Sequence, residues 1–280
     1  MKKIILLLTL ASTMFGCTSN DVSATAQQTK EPRKVAVQMY TFRNFTLEES
    51  IPMLTKEGIT GLGLTAGQDI SKKYPKLRIG PNMNAEQKAF LKKLISDNGC
   101  QIASFGVTGA KDEAGIKAMC EFAKEMGIPV ILTESPAWQL PLWEKYCGDN
   151  GIKMAMHNHA TDNGHNNYYD PRVVKNLIKD YKNIVAAPDN GHWSRSGIDP
   201  VWGYKVLDGQ IAVIHFKDQK EFGNIKNQCV PYGTGALDMK GMLAELDREG
   251  YKGYFVIEYE AEWDNPLPSV VKCYKYLQEN

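Results

Sequence analysis

A single closed (β/α)8 barrel is the fold that this sequence predicts, on three observations. From Lys34 onward, short apolar runs rich in β-branched residues alternate with longer amphipathic stretches of helical spacing, the pattern of repeated βα units. Eight such runs fit into roughly 245 residues, the size of one closed barrel. Glycine follows four of the helical stretches, at Gly58, Gly99, Gly127 and Gly250, where a left-handed residue ends a helix before the next strand.

The strands are expected over residues 35–40, 60–65, 101–106, 129–133, 152–158, 184–189, 211–217 and 254–259. Helices between them include 47–57, 85–97, 112–126, 171–181 and 238–249. An open, doubly wound sheet is the competing arrangement. It is disfavoured because no G-x-G-x-x-G follows the first run, and Gly61-Leu62-Gly63 lies inside a strand. No linker or composition shift divides residues 34–280, which are expected to form one catalytic domain.

The 280 residues are 43% hydrophobic and 23% charged, with a formal net charge of +1. Such a chain is long enough for one large core. Its neutral balance gives no electrostatic basis for a nucleic-acid partner.

The N-terminus reads as an export signal. Met1-Lys2-Lys3 is a basic start, Ile4 to Phe15 an apolar stretch too short to span a bilayer, and Gly16-Cys17 follows directly. Residues 1–17 resemble a bacterial lipoprotein signal, with Cys17 the lipidated first residue of the mature chain and the only link to a membrane. Cleavage after Ala24-Thr25-Ala26 is the alternative. Residues 18–33, rich in Ser, Thr, Gln and Ala, read as a flexible tether, and the domain is expected to face the periplasm or cell surface. Beyond Cys17 stand Cys100, Cys120, Cys147, Cys229 and Cys273, an odd number without C-x-x-C spacing, which reads as buried free thiols.

A barrel builds its active site at the C-terminal ends of its strands. All five histidines, His157, His159, His165, His192 and His215, fall between the ends of the fifth and seventh strands. Strand alternation puts His157 with His159, His215 with Lys217, and Glu258 with Glu260 on single faces. Imidazole and carboxylate together suit Mn²⁺, Zn²⁺, Co²⁺ or Fe²⁺ better than Mg²⁺. Asp189, His215 and Glu258 are the expected ligands, with His157, His159 and Asp162 competing for the fourth place. Glu260 reads as a supporting or surface group, and Lys217 has Asp218 or Asp189 as an ordinary ion-pair alternative to a catalytic role.

These residues also carry a resemblance. Val37-Gln38-Met39-Tyr40-Thr41-Phe42-Arg43, Met156-His157-Asn158-His159, Asp189-Asn190-Gly191-His192-Trp193, His215-Phe216-Lys217-Asp218, Tyr232-Gly233-Thr234-Gly235 and Phe255-Val256-Ile257-Glu258 occur in order. Together they resemble the sugar phosphate isomerase/epimerase family, whose barrel is of the xylose isomerase-like TIM type. The resemblance implies metal-assisted proton transfer next to a sugar carbonyl. Glu258 would be the base or both ligand and base, His192 a hydroxyl-orienting group or proton shuttle, and Lys217 an electrostatic partner for the oxyanion. Tyr40, Arg43, His159, Asp162 and Trp193 are expected substrate contacts, and Trp138, Trp143, Trp202 and Trp263 weaker stacking candidates.

One departure bears on mechanism. Ketose epimerases of the family carry E-x-x-N on the fifth strand, and alignment on Asn158 puts Ala155 where the second glutamate stands. Two-base epimerisation then lacks a base unless Glu134 or Asp162 supplies it, while a one-base elimination from a keto sugar fits the residues as they are. The resemblance implies an isomerase or epimerase, and export implies an unphosphorylated sugar or glycoside as its substrate, because sugar phosphates are cytosolic and no Gly-rich phosphate cradle is present. A dehydratase, lyase or hydrolase and a non-catalytic sugar-binding lipoprotein are the alternatives.

Overall fold

Eight short parallel strands ring one axis in the computed structural model, which describes residues 31–161 and 167–280. The strands are β1 (Val35–Gln38), β2 (Gly61–Leu64), β3 (Gln101–Phe105), β4 (Val130–Thr133), β5 (Lys153–His157), β6 (Ile184–Ala187), β7 (Val213–Phe216) and, after a small hairpin of β8 (Asp218–Gln219) with β9 (Cys229–Val230), β10 (Tyr254–Ile257). Their order is β6-β5-β4-β3-β2-β1-β10-β7, and parallel bridges Ala186–Ile211 and Asp189–His215 join the two outer strands into a barrel. The signal segment and the tether through residue 30 lie outside the described residues, as do Asp162 and His165. Residues Pro32–Asn280 make one compact unit.

Each expected strand is present and most are shorter than read, because the C-terminal residues leave the ladder to build the site. After β1 the chain turns through a 3-10 turn at Met39–Phe42 instead of continuing to Tyr40. After β6, Pro188 lacks the donor that a ladder requires, and Asp189 becomes the N-cap of a short helix.

The helices α1 (Leu47–Lys56), α2 (Ala85–Asp97), α3 (Glu113–Met126), α5 (Pro171–Ile178) and α8 (Met239–Arg248) fall where the periodicity places them. Polar caps fix their starts: Thr46 with Glu49 and Asn84 with Gln87 form capping boxes, and Asp112, Asp170 and Asp238 accept from the first-turn amides. Four more helices, α4 (Leu140–Asn150), α6 (Asn190–Arg195), α7 (Pro200–Leu207) and α9 (Leu267–Glu279), escape the sequence pattern. Helices α4 and α9 begin without a side-chain cap, while α6 and α7 are too short for a clear period.

Alternation along the strands separates two apolar layers. Leu62, Ile131, Met154, Ile214, Phe216 and Ile257 face the helices, whereas Ala36, Leu132, Ala155, Ala187, Val213 and Val256 fill the barrel interior. The interior side chains are small because strands converge there. A Cβ on Gly61 would stand 2.3 Å from the Val35 carbonyl oxygen, which explains the glycine inside β2. Ala155 pairs with Leu132 and Val185 and is fully buried in this apolar layer, one inward step below His157.

Candidate active site

The next inward step above that layer is polar. Gln38 from β1, His157 from β5, Asp189 after β6, and His215 with Lys217 at the end of β7 are all nearly inaccessible, and Glu258 follows β10. Gln38, His157 and Glu258 line a cavity of about 340 Å³ together with Tyr40, Thr65, His159, His192 and Glu260, and Asp189, His215 and Lys217 contact that lining from within.

Two asparagines lock the strand ends in register. Asn158 donates from Nδ2 to the Asp189 carbonyl at 3.1 Å and accepts the Asp189 amide at 2.9 Å. Asn190 repeats the device one strand on, donating to the Lys217 carbonyl at 2.6 Å and accepting its amide at 2.9 Å. Gly191 then leaves room for the Lys217 stem, since a Cβ there would lie 2.6 Å from Lys217 Cδ. In Asp189-Asn190-Gly191-His192, the two middle residues therefore serve the neighbouring strand.

Lys217 is the electrostatic centre. Its Nζ is 2.8 Å from Asp189 Oδ2, 2.8 Å from Glu258 Oε2 and 2.9 Å from Glu260 Oε2. Burial opposes a charge here, yet the three carboxylates push the ammonium well above its usual range. Asp218, the other partner considered for Lys217, faces away: its carboxylate accepts the Gly233 and Gly235 amides at 2.9 Å and so holds the Tyr232–Gly235 turn. Glu260, read as a supporting or surface group, lines the cavity instead.

The histidines converge on Asp189. Its Oδ2 lies 3.7 Å from His157 Nε2, 3.8 Å from His192 Nε2 and 3.8 Å from His215 Nδ1, and the last of these is 3.0 Å from Glu258 Oε2. His215 Nε2 meets Gln38 Nε2 at 3.3 Å, and the same amide donates to the Gly106 carbonyl at 3.0 Å. Despite burial, Glu258 and Asp189 push His215 up to about 9. Burial and nearby Lys217 hold His192 well below its usual value, which leaves it neutral. Burial also opposes the Glu258 charge, but Lys217 and His215 outweigh it and keep the carboxylate far below its usual range.

Glu134, just past the end of β4, stands behind two histidines of the cavity. It accepts from His157 Nδ1 at 2.9 Å and pairs with His159 Nδ1. Burial works against its charge, yet the two imidazoles bring it down to about 2.

His157 Nε2, Asp189 and His215 Nδ1 place one donor atom each within 4.8 Å of one another, and Glu134, His157 and His159 form a second such group. His157 Nε2 is buried without a hydrogen bond, while Asp189 Oδ2 and His215 Nδ1 are buried with ion-pair contacts to Lys217 and Glu258 in place of well-aligned hydrogen bonds. Buried polar atoms left so are costly, and two imidazoles with a carboxylate are the donor set of a borderline divalent ion, so the residues fit one. Glu134 at His157 Nδ1 stands where an outer carboxylate would orient that imidazole toward an ion.

Among the expected site residues, Asp189, His215, Glu258, His157, His192, Lys217, His159 and Glu134 are brought together, with Tyr40 on the cavity wall. Arg43 stands beside it, donating to the Tyr40 hydroxyl at 2.6 Å and lying 3.3 Å over the Trp263 ring. One reading needs correction. Trp193 is buried against Tyr204, with ring centroids 5.4 Å apart, and packs over Gly203 outside the cavity, so it is a core residue and not a stacking surface. His192 sits on α6, and its amide donates to Asp189 Oδ1 at 3.0 Å. Gln38 and Thr65 line the site without having been singled out; the signal for Gln38 was its alternation with inward Ala36.

A parallel barrel with a polar ring of histidines and carboxylates at its C-terminal mouth defines a class in which strand ends carry the chemistry. Residues 56–277 match the xylose isomerase-like TIM barrel family, and the chain belongs to that family. An inosose dehydratase of Geobacillus thermodenitrificans is 23% identical over 284 residues, covering 84% of this chain and 89% of the relative. A sugar phosphate isomerase/epimerase from Parabacteroides distasonis superposes with a TM-score of 0.67 at 16% identity over 90% of this chain and 98% of its own. A D-allulose 3-epimerase from Methylomonas sp. gives a TM-score of 0.70 at 11% identity, covering 89% and 98%.

Proposed function

We propose that this chain is a sugar-acting lyase of the dehydratase type, removing a proton next to a carbonyl and expelling the group on the following carbon. The observation that carries the reading is the division of labour across the cavity. Glu258, backed by Lys217 and His215, and His159, backed by Glu134, both line the cavity, and Ala155 lies in the apolar layer below. That arrangement supplies one base and one acid. The inosose dehydratase relative supports it; the epimerase expectation stands beside it as the alternative reading, which needs a second base other than Ala155.

His157, Asp189, His215 and Glu258 would hold a divalent ion, of which Mn²⁺, Zn²⁺, Co²⁺ and Fe²⁺ suit the donors best. When bound, such an ion supplies a Lewis acid for the carbonyl oxygen. Glu258 takes the α-proton. Its contacts to Lys217 and His215 both run through Oε2, which leaves the second oxygen to receive that proton. Lys217 balances negative charge growing on the substrate oxygen, and neutral His192 orients a hydroxyl. The α C–H pair becomes the new C=C bond as the β C–O bond breaks. His159, oriented by Glu134, gives its proton to the departing oxygen, so that water or an alcohol leaves.

The substrate is an unphosphorylated keto sugar or keto glycoside, met outside the cytosol by a chain tethered through Cys17. Incubating the purified protein with Mn²⁺ and 3-keto-glucose or its methyl glycoside tests the reading. An unsaturated product is expected; an epimer or no reaction would contradict it.

A further inference from the structure

His157 stands between two groups of possible ligands and can serve only one of them. Its Nε2 lies 3.7 Å from Asp189 Oδ2 in the group that includes His215, and its Nδ1 lies 2.9 Å from Glu134 Oε1 in the group that includes His159. A neutral imidazole carries one lone pair and one N–H. When an ion takes the Nε2 lone pair, Nδ1 keeps the proton and donates it to Glu134.

The second group is then reduced to Glu134 and His159. A carboxylate has about four lone-pair positions, so Glu134 can accept from His157 and still ligate. His159 brings Nδ1 to the same carboxylate oxygen, where that nitrogen is buried without a well-aligned hydrogen bond. An imidazole nitrogen and a carboxylate oxygen that converge in this way suit a borderline divalent cation. Strand alternation puts residues 157 and 159 on one face, and their rings meet edge to face with centroids 5.0 Å apart. The His159 side chain is 35% exposed against 1% for His157, so solvent reaches the outer pair and not the inner group.

We propose that Glu134 and His159 form a second, weaker cation site beside the one built from His157, Asp189, His215 and Glu258, with water completing its coordination. Having two protein ligands in place of four sets the order of filling. Zn²⁺ and Co²⁺ suit the outer site better than Mn²⁺, because affinity for such donors rises from Mn²⁺ to the later metals. On the lyase reading, filling this site stops the reaction. The proposed acid needs both nitrogens of His159 protonated, and an ion on Nδ1 takes one of those places. The departing oxygen then lacks its proton, while Glu258 still exchanges the α-proton.

Titrating the metal-free protein with Co²⁺, followed by visible absorption, tests the site without turnover. Wild type is expected to bind two equivalents, the second at least about tenfold more weakly. His159→Ala and the ring-retaining His159→Phe should bind only the first, with its affinity unchanged. A single equivalent in wild type, or a second that survives both substitutions, overturns the proposal. Alongside, 3-keto methyl glucoside in deuterated buffer is followed at one equivalent of Co²⁺ and in excess. Exchange of the α-proton under both conditions, with methanol released only at one equivalent, is expected. No exchange under either condition, or methanol release untouched by the second ion, would sink the lyase reading as assigned and leave the site standing on the binding data.

Discussion

Asp189 and Lys217 meet across the seam that closes the barrel, with Lys217 Nζ 2.8 Å from Asp189 Oδ2, while the other oxygen of Asp189 caps α6 through the His192 amide. One carboxylate thus fixes a helix and faces the site. Lys217 in turn neutralises Asp189, Glu258 and Glu260 in a region with almost no access to water.

Removing the ammonium should therefore be felt in stability as well as in rate. Lys217→Met leaves buried carboxylates uncompensated, at a cost of about 3–5 kcal/mol, or on the order of 10 °C in Tm for a domain of this size. Added Mn²⁺ should recover part of the loss, because a bound cation replaces the missing charge. A variant that melts within about 2 °C of wild type in thermal scans would show that Lys217 is not the centre of the cluster.

Two glycines separate packing from chemistry. Gly191→Ala drives a methyl group against the Lys217 stem, and Gly203→Ala drives one to 2.6 Å from the Trp193 ring. Each should destabilise by about 1–3 kcal/mol through overpacking. Activity per folded molecule should fall only in Gly191→Ala, which displaces a site residue. Assays normalised to the folded fraction check this, and equal activity in both variants would count against the role given to Gly191.

Metal content distinguishes ligands from the groups that orient them. His157→Ala and His215→Ala should each abolish stoichiometric binding of Mn²⁺ or Zn²⁺. Glu134→Gln, which alters the partner of both His157 Nδ1 and His159 Nδ1, should weaken affinity by about 10- to 100-fold. Elemental analysis after reconstitution and dialysis reads both effects, and full occupancy in His215→Ala would remove it from the donor set.

Glu249, remote from the site, gives a pH signature. Burial, with Asp208 and Glu245 nearby, raises its carboxyl to about 7 from an ordinary 4.5. Between those values the folded state holds the proton more tightly than the unfolded state, so stability falls as pH rises through that window. Glu249→Gln removes the penalty. It should be more stable than wild type at pH 8, by under about 1 kcal/mol because solvent and Arg248 screen the charge, and indistinguishable from it near pH 4. Melting curves at the two pH values decide this.

Much of this architecture was legible in the chain because strand alternation and helix-ending glycines are local. Gly127 shows it: the left-handed φ of +71° that ends α3 is written in Met126-Gly127-Ile128. Alternation also predicted that His157, His215 and Glu258 would share the barrel mouth. What stayed hidden depends on contacts between distant segments. Trp193 follows the site motif directly but turns into the core against Tyr204, a partner that no local pattern announces. The pairing of Glu134 with His159 joins the ends of the neighbouring strands β4 and β5, beyond the last ladder residues, where alternation no longer fixes which way a side chain turns. The extra helices α4 and α9 lack the polar caps by which sequence marks a start.

The most direct test of the proposed chemistry follows 3-keto methyl glucoside by proton NMR in deuterated buffer with Mn²⁺, for wild type and Glu258→Gln. Wild type should yield an unsaturated keto sugar and free methanol, and Glu258→Gln should slow loss of the α-proton by orders of magnitude while remaining folded. A deuterated epimer without alkene, or α-proton loss undiminished in Glu258→Gln, would contradict the account.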